Sequence, residues 1–138
     1  KLIDGTYAAG MSDFTMPWVD VRDVARAHVE AALRPEAAGR FILSAKVASI
    51  FEIIDEIRDG VPHATQLPRM KAPKWMGYLF APFFGLTWKY VSRNVGISVE
   101  LDHSRSVEHL GIAYRPLGET MRAHVQQRVD DGLYRPRG

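Results

Sequence analysis

Apolar and polar positions alternate along the chain with two different periods, which predicts strands interleaved with helices. The clearest helix begins after Ser49, because Ser49 and Glu52 form a capping box and isoleucines follow with helical spacing up to Ile57. A last helix is predicted to open at Pro116 and to end near Gly132, with an apolar residue at every fourth position. Both helices are therefore expected to bury one face.

A strand and then a helix are predicted over residues 18–33. Residues 18–21 alternate in polarity, and Asp23 is placed to cap the helix that follows. Residues 40–44 form a short apolar run, which is typical of a parallel strand that is buried on both faces. The face that the helix is predicted to bury consists of Val21, Val24, Ala25, His28 and Ala32.

Residues 63–97 are rich in aromatic side chains and broken by prolines, which predicts a broken pair of helices. Ligand pockets have mostly apolar walls and few polar anchors, so these side chains are candidates for lining a substrate pocket as well as for packing a small helical subdomain. Arg93 follows the aromatic run and is a candidate anchor for a ligand. The candidate pocket residues are Trp75, Met76, Tyr78, Phe83, Phe84 and Trp88.

Several kinds of chemistry lack their motif in this sequence. There is no G-x-G-x-x-G turn for a dinucleotide, no Y-x-x-x-K pair for proton donation to a carbonyl, and no G-x-S-x-G elbow for a serine hydrolase. The histidines have no H-E-x-x-H spacing, so a metal site is not expected. The sequence therefore offers candidate binding residues and no catalytic residue.

Length and composition fit one globular domain or a part of a larger one. The 138 residues are 46% hydrophobic and 25% charged, and 18 basic against 16 acidic residues give a net charge of +2. Basic residues are scattered, so a nucleic-acid partner is not expected. The absence of cysteine suits the reducing cytoplasm. The aromatic segment 75–88 is interrupted and too short to span a bilayer, so a membrane partner is not expected.

The order of these signals resembles the C-terminal half of the extended short-chain dehydrogenase/reductases. The resemblance rests on W-V-D-V-R-D-V-A-R-A-H at 18–28, G-R-F-I-L-S at 39–44, D-H-S-R at 102–105 with L-G at 110–111, and Y-R-P-L at 114–117. It is greatest toward dihydroflavonol reductase-like and epimerase/dehydratase-like members. It covers residues 2–133 and is weakest over 63–96.

This resemblance implies an α/β fold that forms the C-terminal part of a Rossmann-type doubly wound sheet plus a small, mainly helical substrate-binding subdomain. Residues 1–62 are then expected to complete the sheet, and residues 63–138 to form the substrate-binding subdomain with the C-terminal helix. The family's Gly-rich turn and catalytic Tyr and Lys belong to an N-terminal half, and this sequence resembles only the C-terminal half. The resemblance implies no catalytic or cofactor-binding residue here.

The implied function is that of a segment of an NAD(P)-dependent oxidoreductase that reduces a small carbonyl compound. NAD(P) is expected in the full-length parent and is not expected to bind to this segment alone, which should be inactive. The expected partners are the small-molecule substrate and the missing N-terminal Rossmann half, and pairing of two parent chains into a homodimer stays open.

Three alternative functions stay open: a nucleotide-sugar epimerase or dehydratase, a non-catalytic ligand-binding module, and a peripheral membrane protein that uses 74–89. Epimerases of the family often carry a phosphate-clamping Arg where this chain has Met16, which favours a reductase.

Overall fold

A computed structural model describes residues 7–8, 10–60, 67–73, 75, 78, 87–94, 97 and 99–133. The described helices and strands alternate through the first half of the chain, and helices dominate the second half. In chain order they are β1 (Met11–Ser12), β2 (Thr15–Trp18), α1 (Val21–Leu33), β3 (Lys46–Ser49), α2 (Ile50–Gly60), β4 (Lys71–Ala72), α3 (Trp88–Asn94), α4 (Ser104–Leu110) and α5 (Leu117–Asp130).

The described strands form two short pairs. β1 pairs with β4 in parallel, with Met11 opposite Lys71, and β2 pairs with β3 antiparallel, with Thr15 opposite Ser49. A parallel pair needs a long crossover connection, and here β2, α1, β3 and α2 lie between its two strands in the chain. This mixed arrangement of strands and helices confirms the predicted α/β class.

The larger core lies between α2 and α5. The capping box predicted at Ser49 is confirmed, because the Ser49 hydroxyl accepts from the Glu52 N–H at 3.2 Å and the Glu52 carboxylate accepts from the Ser49 N–H at 2.7 Å. The predicted apolar faces of both helices are confirmed as well. Their buried side chains are Ile50, Phe51, Ile53, Ile54, Ile57, Leu117, Met121 and Val125.

A smaller core joins α1 to α4. Its buried residues are Ala27, Leu110 and Ile112, and the half-buried Phe41 and Leu43 pack against them. Helix α4 ends where the chain turns at Gly111, which adopts the left-handed conformation with φ 64°. The smaller core therefore positions the segment 40–44 against two helices.

Two predicted strands are wrong in position. The strand expected at 18–21 lies earlier, at Thr15–Trp18, because that stretch pairs with β3. The parallel strand expected at 40–44 is not a strand in the structure. A strand requires hydrogen bonds to a neighbour, and no described strand lies alongside this segment.

The predicted cap and the predicted buried face of α1 are also wrong. Asp20, not Asp23, caps the helix, because its carboxylate accepts from the Arg22 N–H at 2.8 Å. The buried positions of α1 are Asp23 and Ala27, whereas Val21 is 77% exposed. His28 is exposed too, although its Nδ1–H donates to the Val24 carbonyl at 2.8 Å. The side of α1 that faces the rest of this chain is therefore not its most apolar side.

The described helices are too short or too polar to cross a lipid bilayer.

The sequence predicted one part over residues 1–62 and another over residues 63–138. Helix α5, in the second part, packs on α2, in the first. That division stays a prediction.

Candidate functional site

The predicted pocket residues that the structure describes are mostly at the surface. Trp75 is 65% exposed and Trp88 is 67% exposed, while Tyr78 is half-buried and Arg93 is exposed. No hydrogen bond or ring contact joins these four side chains to one another. Large aromatic side chains gain most from burial, and each of these two tryptophans leaves most of its apolar area uncovered.

The remaining predicted pocket residues are Met76, Phe83 and Phe84, and they lie outside the described residues. The broken helical pair predicted over 63–97 is described only in part, as helix α3. The assignment of the pocket to this segment therefore stays a prediction.

Two cavities meet at Lys46, where β3 begins. The larger has a volume of about 500 Å³ and lies at the start of α5, and the smaller has a volume of about 340 Å³ and lies between Ser44 and the segment that leads into α4. The ammonium of Lys46 pairs with the Glu52 carboxylate at 3.1 Å. The larger cavity is lined by Ala45, Lys46, Glu56, Tyr114, Arg115, Pro116, Leu117, Gly118, Glu119 and Arg122.

The smaller cavity carries polar groups of several kinds. Asp102 accepts from the Ser104 hydroxyl at 2.6 Å and from the Ser104 N–H at 2.9 Å, and these bonds hold the pKa of its carboxyl below the usual value. His103 packs edge-on against Tyr114, with ring centroids 5.2 Å apart. The cavity thus offers acceptors and donors to a polar ligand group. Its lining is Ser44, Lys46, Val47, Glu100, Leu101, Asp102 and His103.

Buried carboxylates at the start of α1 hold α5 in place. Asp23 is 2% exposed and accepts from the backbone N–H of Arg115 at 2.8 Å and from its guanidinium. Asp20 is 3% exposed and accepts from the Arg22 guanidinium at 2.9 and 2.6 Å and from the Thr120 hydroxyl at 3.0 Å. These bonds connect the start of α1 to the start of α5, and the start of α5 lines the larger cavity.

The side-chain hydrogen bonds from Arg22 keep the pKa of Asp20 far below its ordinary value, against the opposing effect of burial. A carboxylate that is ionised and bonded on several sides is well satisfied although it is buried. The charged groups of this cluster are therefore paired with one another, and their role is structural.

Sequence reasoning missed the roles of Asp20, Asp23 and Ser44. Asp20 caps α1 and Asp23 lies in its first turn, so the local pattern indicated capping for Asp23, and no local signal pointed to Arg115 as its partner. Ser44 had one usable signal, since it ends a predicted parallel strand and ligands bind beyond the carboxyl ends of such strands.

The described residues hold no group of three or more His, Asp or Glu side chains that would bind a metal ion. A dinucleotide site of the Rossmann type needs a glycine-rich turn between a strand and a helix. Here β1 leads directly into β2, and Pro73 and Lys74 follow β4. Among the described residues, no strand leads into a helix through a glycine-rich turn, so these residues do not form that type of pyrophosphate site.

Comparison with solved structures shows that this chain has part of a Rossmann-like α/β fold. No protein-family model matches the chain, and no curated protein matches its sequence. The likeness is to solved structures. The methylglyoxal/isovaleraldehyde reductase Gre2 of yeast, complexed with NADPH, is 21% identical with a TM-score of 0.68, and the match covers 96% of this chain and 39% of that one.

Two further solved structures have the same fold. The structure of gox2253 is 16% identical with a TM-score of 0.72, and the match covers 97% of this chain and 44% of that one. Gre2 from Candida albicans, in complex with NADPH, is 24% identical with a TM-score of 0.59, and the match covers 84% of this chain and 30% of that one. The chain therefore spans less than half the length of the solved structures that it matches.

Proposed function

We propose that this chain is the C-terminal, substrate-binding part of an NAD(P)-dependent reductase that acts on a small carbonyl compound. The observation that carries the proposal is the fold likeness to reductases solved with NADPH, over 96% of this chain and 39% of the yeast enzyme. Helix ends and loops of such folds carry the substrate site, while the glycine-rich turn that holds the cofactor lies elsewhere.

The reaction divides between the two parts of the parent. Bound NAD(P)H would supply a hydride to the carbonyl carbon, and the glycine-rich turn that would hold its pyrophosphate is proposed to lie in the other part of the parent. The part played by this chain is to hold the substrate and to exclude water from it. Trp75 and Trp88, which are 65% and 67% exposed, provide apolar surface for that purpose.

The substrate class follows from the apolar character of the 75–88 segment and from the yeast neighbour, whose name gives methylglyoxal and isovaleraldehyde as substrates. Apolar and aromatic walls suit small aldehydes and ketones that carry few hydrogen-bonding groups. The cytoplasm is the proposed compartment, and the parent's substrate is proposed to be a free small molecule.

The experiment is to translate the reading frame upstream of codon 1, to express the protein that begins there, and to follow NADPH oxidation with methylglyoxal and isovaleraldehyde. The expected result is turnover by the longer protein and none by the 138 residues alone. Turnover by the 138 residues, or none by a longer protein that carries a glycine-rich turn, would count against the proposal. A rise in the parent's melting temperature with a uridine diphosphate sugar would instead favour an epimerase or dehydratase.

A further inference from the structure

A serine hydroxyl without a partner opens onto the smaller cavity. Ser44 is only 2% exposed, and it lines this cavity just before β3 begins. Within the part of the chain that the structure describes, its hydroxyl makes no hydrogen bond. The sealed side-chain atoms without a partner in that part belong to Asp13, Trp18 and Arg128, so the Ser44 hydroxyl faces the open cavity. Buried polar side chains almost always have a partner, and a bound molecule would supply one here.

The carboxylates of the smaller cavity have free oxygens and no counterion. Asp102 uses one oxygen, Oδ1, for both bonds from Ser104, and its Oδ2 has no partner among the described residues. Glu100 is exposed and forms no ion pair or hydrogen bond with any described residue. Lys46 is the one Lys or Arg among the described lining residues, and its ammonium is paired with Glu52, which does not line the cavity. The cavity therefore carries negative charge.

Two apolar side chains complete the lining. Val47 and Leu101 are half-buried and stand next in the chain to Lys46 and Asp102. The volume of about 340 Å³ lies near the lower end of the range for small-ligand sites, which is about 300–1,000 Å³. This combination suits a short hydrocarbon chain that ends in a charged donor.

We infer that the smaller cavity binds a small aliphatic primary amine, whose ammonium group donates to the hydroxyl of Ser44 and to the carboxylates of Glu100 and Asp102. The alkyl chain packs on Val47 and Leu101. An ammonium group has three N–H donors and no acceptor, and these three side chains offer acceptors that lack a partner. The inference is independent of the proposed function, because it uses only residues of this chain.

The charge of the cavity selects an amine over other ligands. A phosphate or a carboxylate would face two carboxylates without counterions, and like charges repel. A neutral alcohol would leave those charges without a partner. A metal ion is not supported, since the described residues hold no group of three ligands for one. A lysine side chain of another protein carries the same ammonium group and is the competing source. A free molecule is favoured because the buried hydroxyl of Ser44 is reached from inside the cavity.

The experiment titrates the 138-residue chain with butylamine, butan-1-ol and butyrate, which have four carbon atoms each and differ in charge. Calorimetry measures the affinity, and the NMR shifts of the methyl groups of Val47 and Leu101 locate the site. Butylamine is expected to bind and to shift both residues. Butan-1-ol is expected to bind about tenfold more weakly, because it makes no charge-assisted hydrogen bond. Butyrate is expected not to bind.

Variants test the residues of the site. Glu100→Gln and Asp102→Asn are each expected to weaken butylamine binding about tenfold, because each removes a charged acceptor. The matched control is Glu36→Gln, since Glu36 is exposed and does not line the cavity. Ser44→Ala is expected to weaken binding about threefold and to leave the melting temperature unchanged or higher, because the hydroxyl has no partner in the unbound chain.

Several results would overturn the inference. One is binding of butyrate or butan-1-ol as tight as that of butylamine, and another is equal affinity of Glu100→Gln and Glu36→Gln for butylamine. A Ser44→Ala variant that loses stability and keeps the affinity would show that the hydroxyl serves the fold and not a ligand. If that variant does not fold, the ligand series and Glu100→Gln decide. A tenfold preference for Nα-acetyl-lysine methylamide over butylamine would assign the cavity to a lysine of a partner protein and overturn the free ligand.

Discussion

The carboxylate of Asp23, in α1, accepts hydrogen bonds from both the backbone N–H and the guanidinium of Arg115, which stands just before α5. Arg115 also pairs with Glu119 at 3.3 Å. This contact ties the helix of the smaller core to a helix of the larger one. The contact therefore holds the two cores in fixed positions relative to each other.

Replacing Asp23 with Ala is expected to lower the free energy of unfolding by about 2–3 kcal/mol, because the Arg115 N–H and guanidinium lose their buried partner. The loss stays modest because the side chain of Arg115 is 35% exposed and water reaches it. Urea unfolding measures it, with the exposed Asp59→Ala as the control. Equal stability of the two variants would show that the pair does not hold the cores together.

Stability is expected to fall in acid partly through Asp20. The pKa of its carboxyl is lowered in the folded chain, so its contribution is complete above the unfolded pKa of about 4 and is lost as the pH falls toward the folded pKa. Asp20→Asn is expected to be less stable than the unchanged chain at pH 7, and the gap is expected to narrow below pH of about 4. Urea unfolding at a series of pH values checks this, and a gap that stays constant with pH would contradict it.

Removing the capping box of α2 is expected to cause a smaller loss of stability, which depends on the Ser49 hydroxyl. Ser49→Ala removes the hydroxyl that accepts from the Glu52 N–H and is expected to cost about 1 kcal/mol. Ser49→Thr keeps a hydroxyl at the same place and is expected to retain most of that stability. Thermal unfolding compares the two, and an equal loss in both variants would mean that packing of the side chain, and not the cap, is responsible.

Trp75 and Trp88 are expected to matter for substrate and little for folding. Both are mostly exposed, so replacing either with Ala should change the free energy of unfolding by less than about 0.5 kcal/mol. In the parent protein the same changes are expected to raise the KM for the carbonyl substrate several-fold and to leave the KM for NADPH unchanged. Leu133→Ala, also at an exposed position, serves as control. Equal effects on both KM values would argue against the pocket.

Prediction from the sequence was correct for elements whose capping residues and apolar face lie within one short segment. Helix α2 is the clearest case. Its capping residues are Ser49 and Glu52, and its apolar residues recur three and four positions apart, which places them on one face. The predicted strands and helices, together with the resemblance to the dehydrogenase/reductases, gave the α/β class.

The candidate site was less accessible to sequence reasoning. An aromatic run indicates burial or binding without deciding between them, and the exposure of Trp75 and Trp88 is a property of the folded chain. The smaller cavity brings Ser44 together with Asp102 and His103, which are far apart in the sequence. No local pattern links residues that meet only through the packing of α4 against α1.

What the sequence by itself determined is the local structure that short-range hydrogen bonds and helical periodicity impose, as in α2 and α5. Only the tertiary structure decided which face of α1 is buried, which partner Asp23 takes, and that 41–44 finds no neighbouring strand. The physical reason is that burial, ion pairing and strand pairing are contacts between distant segments. The same apolar stripe on α1 is a core face or an open surface according to what packs against it.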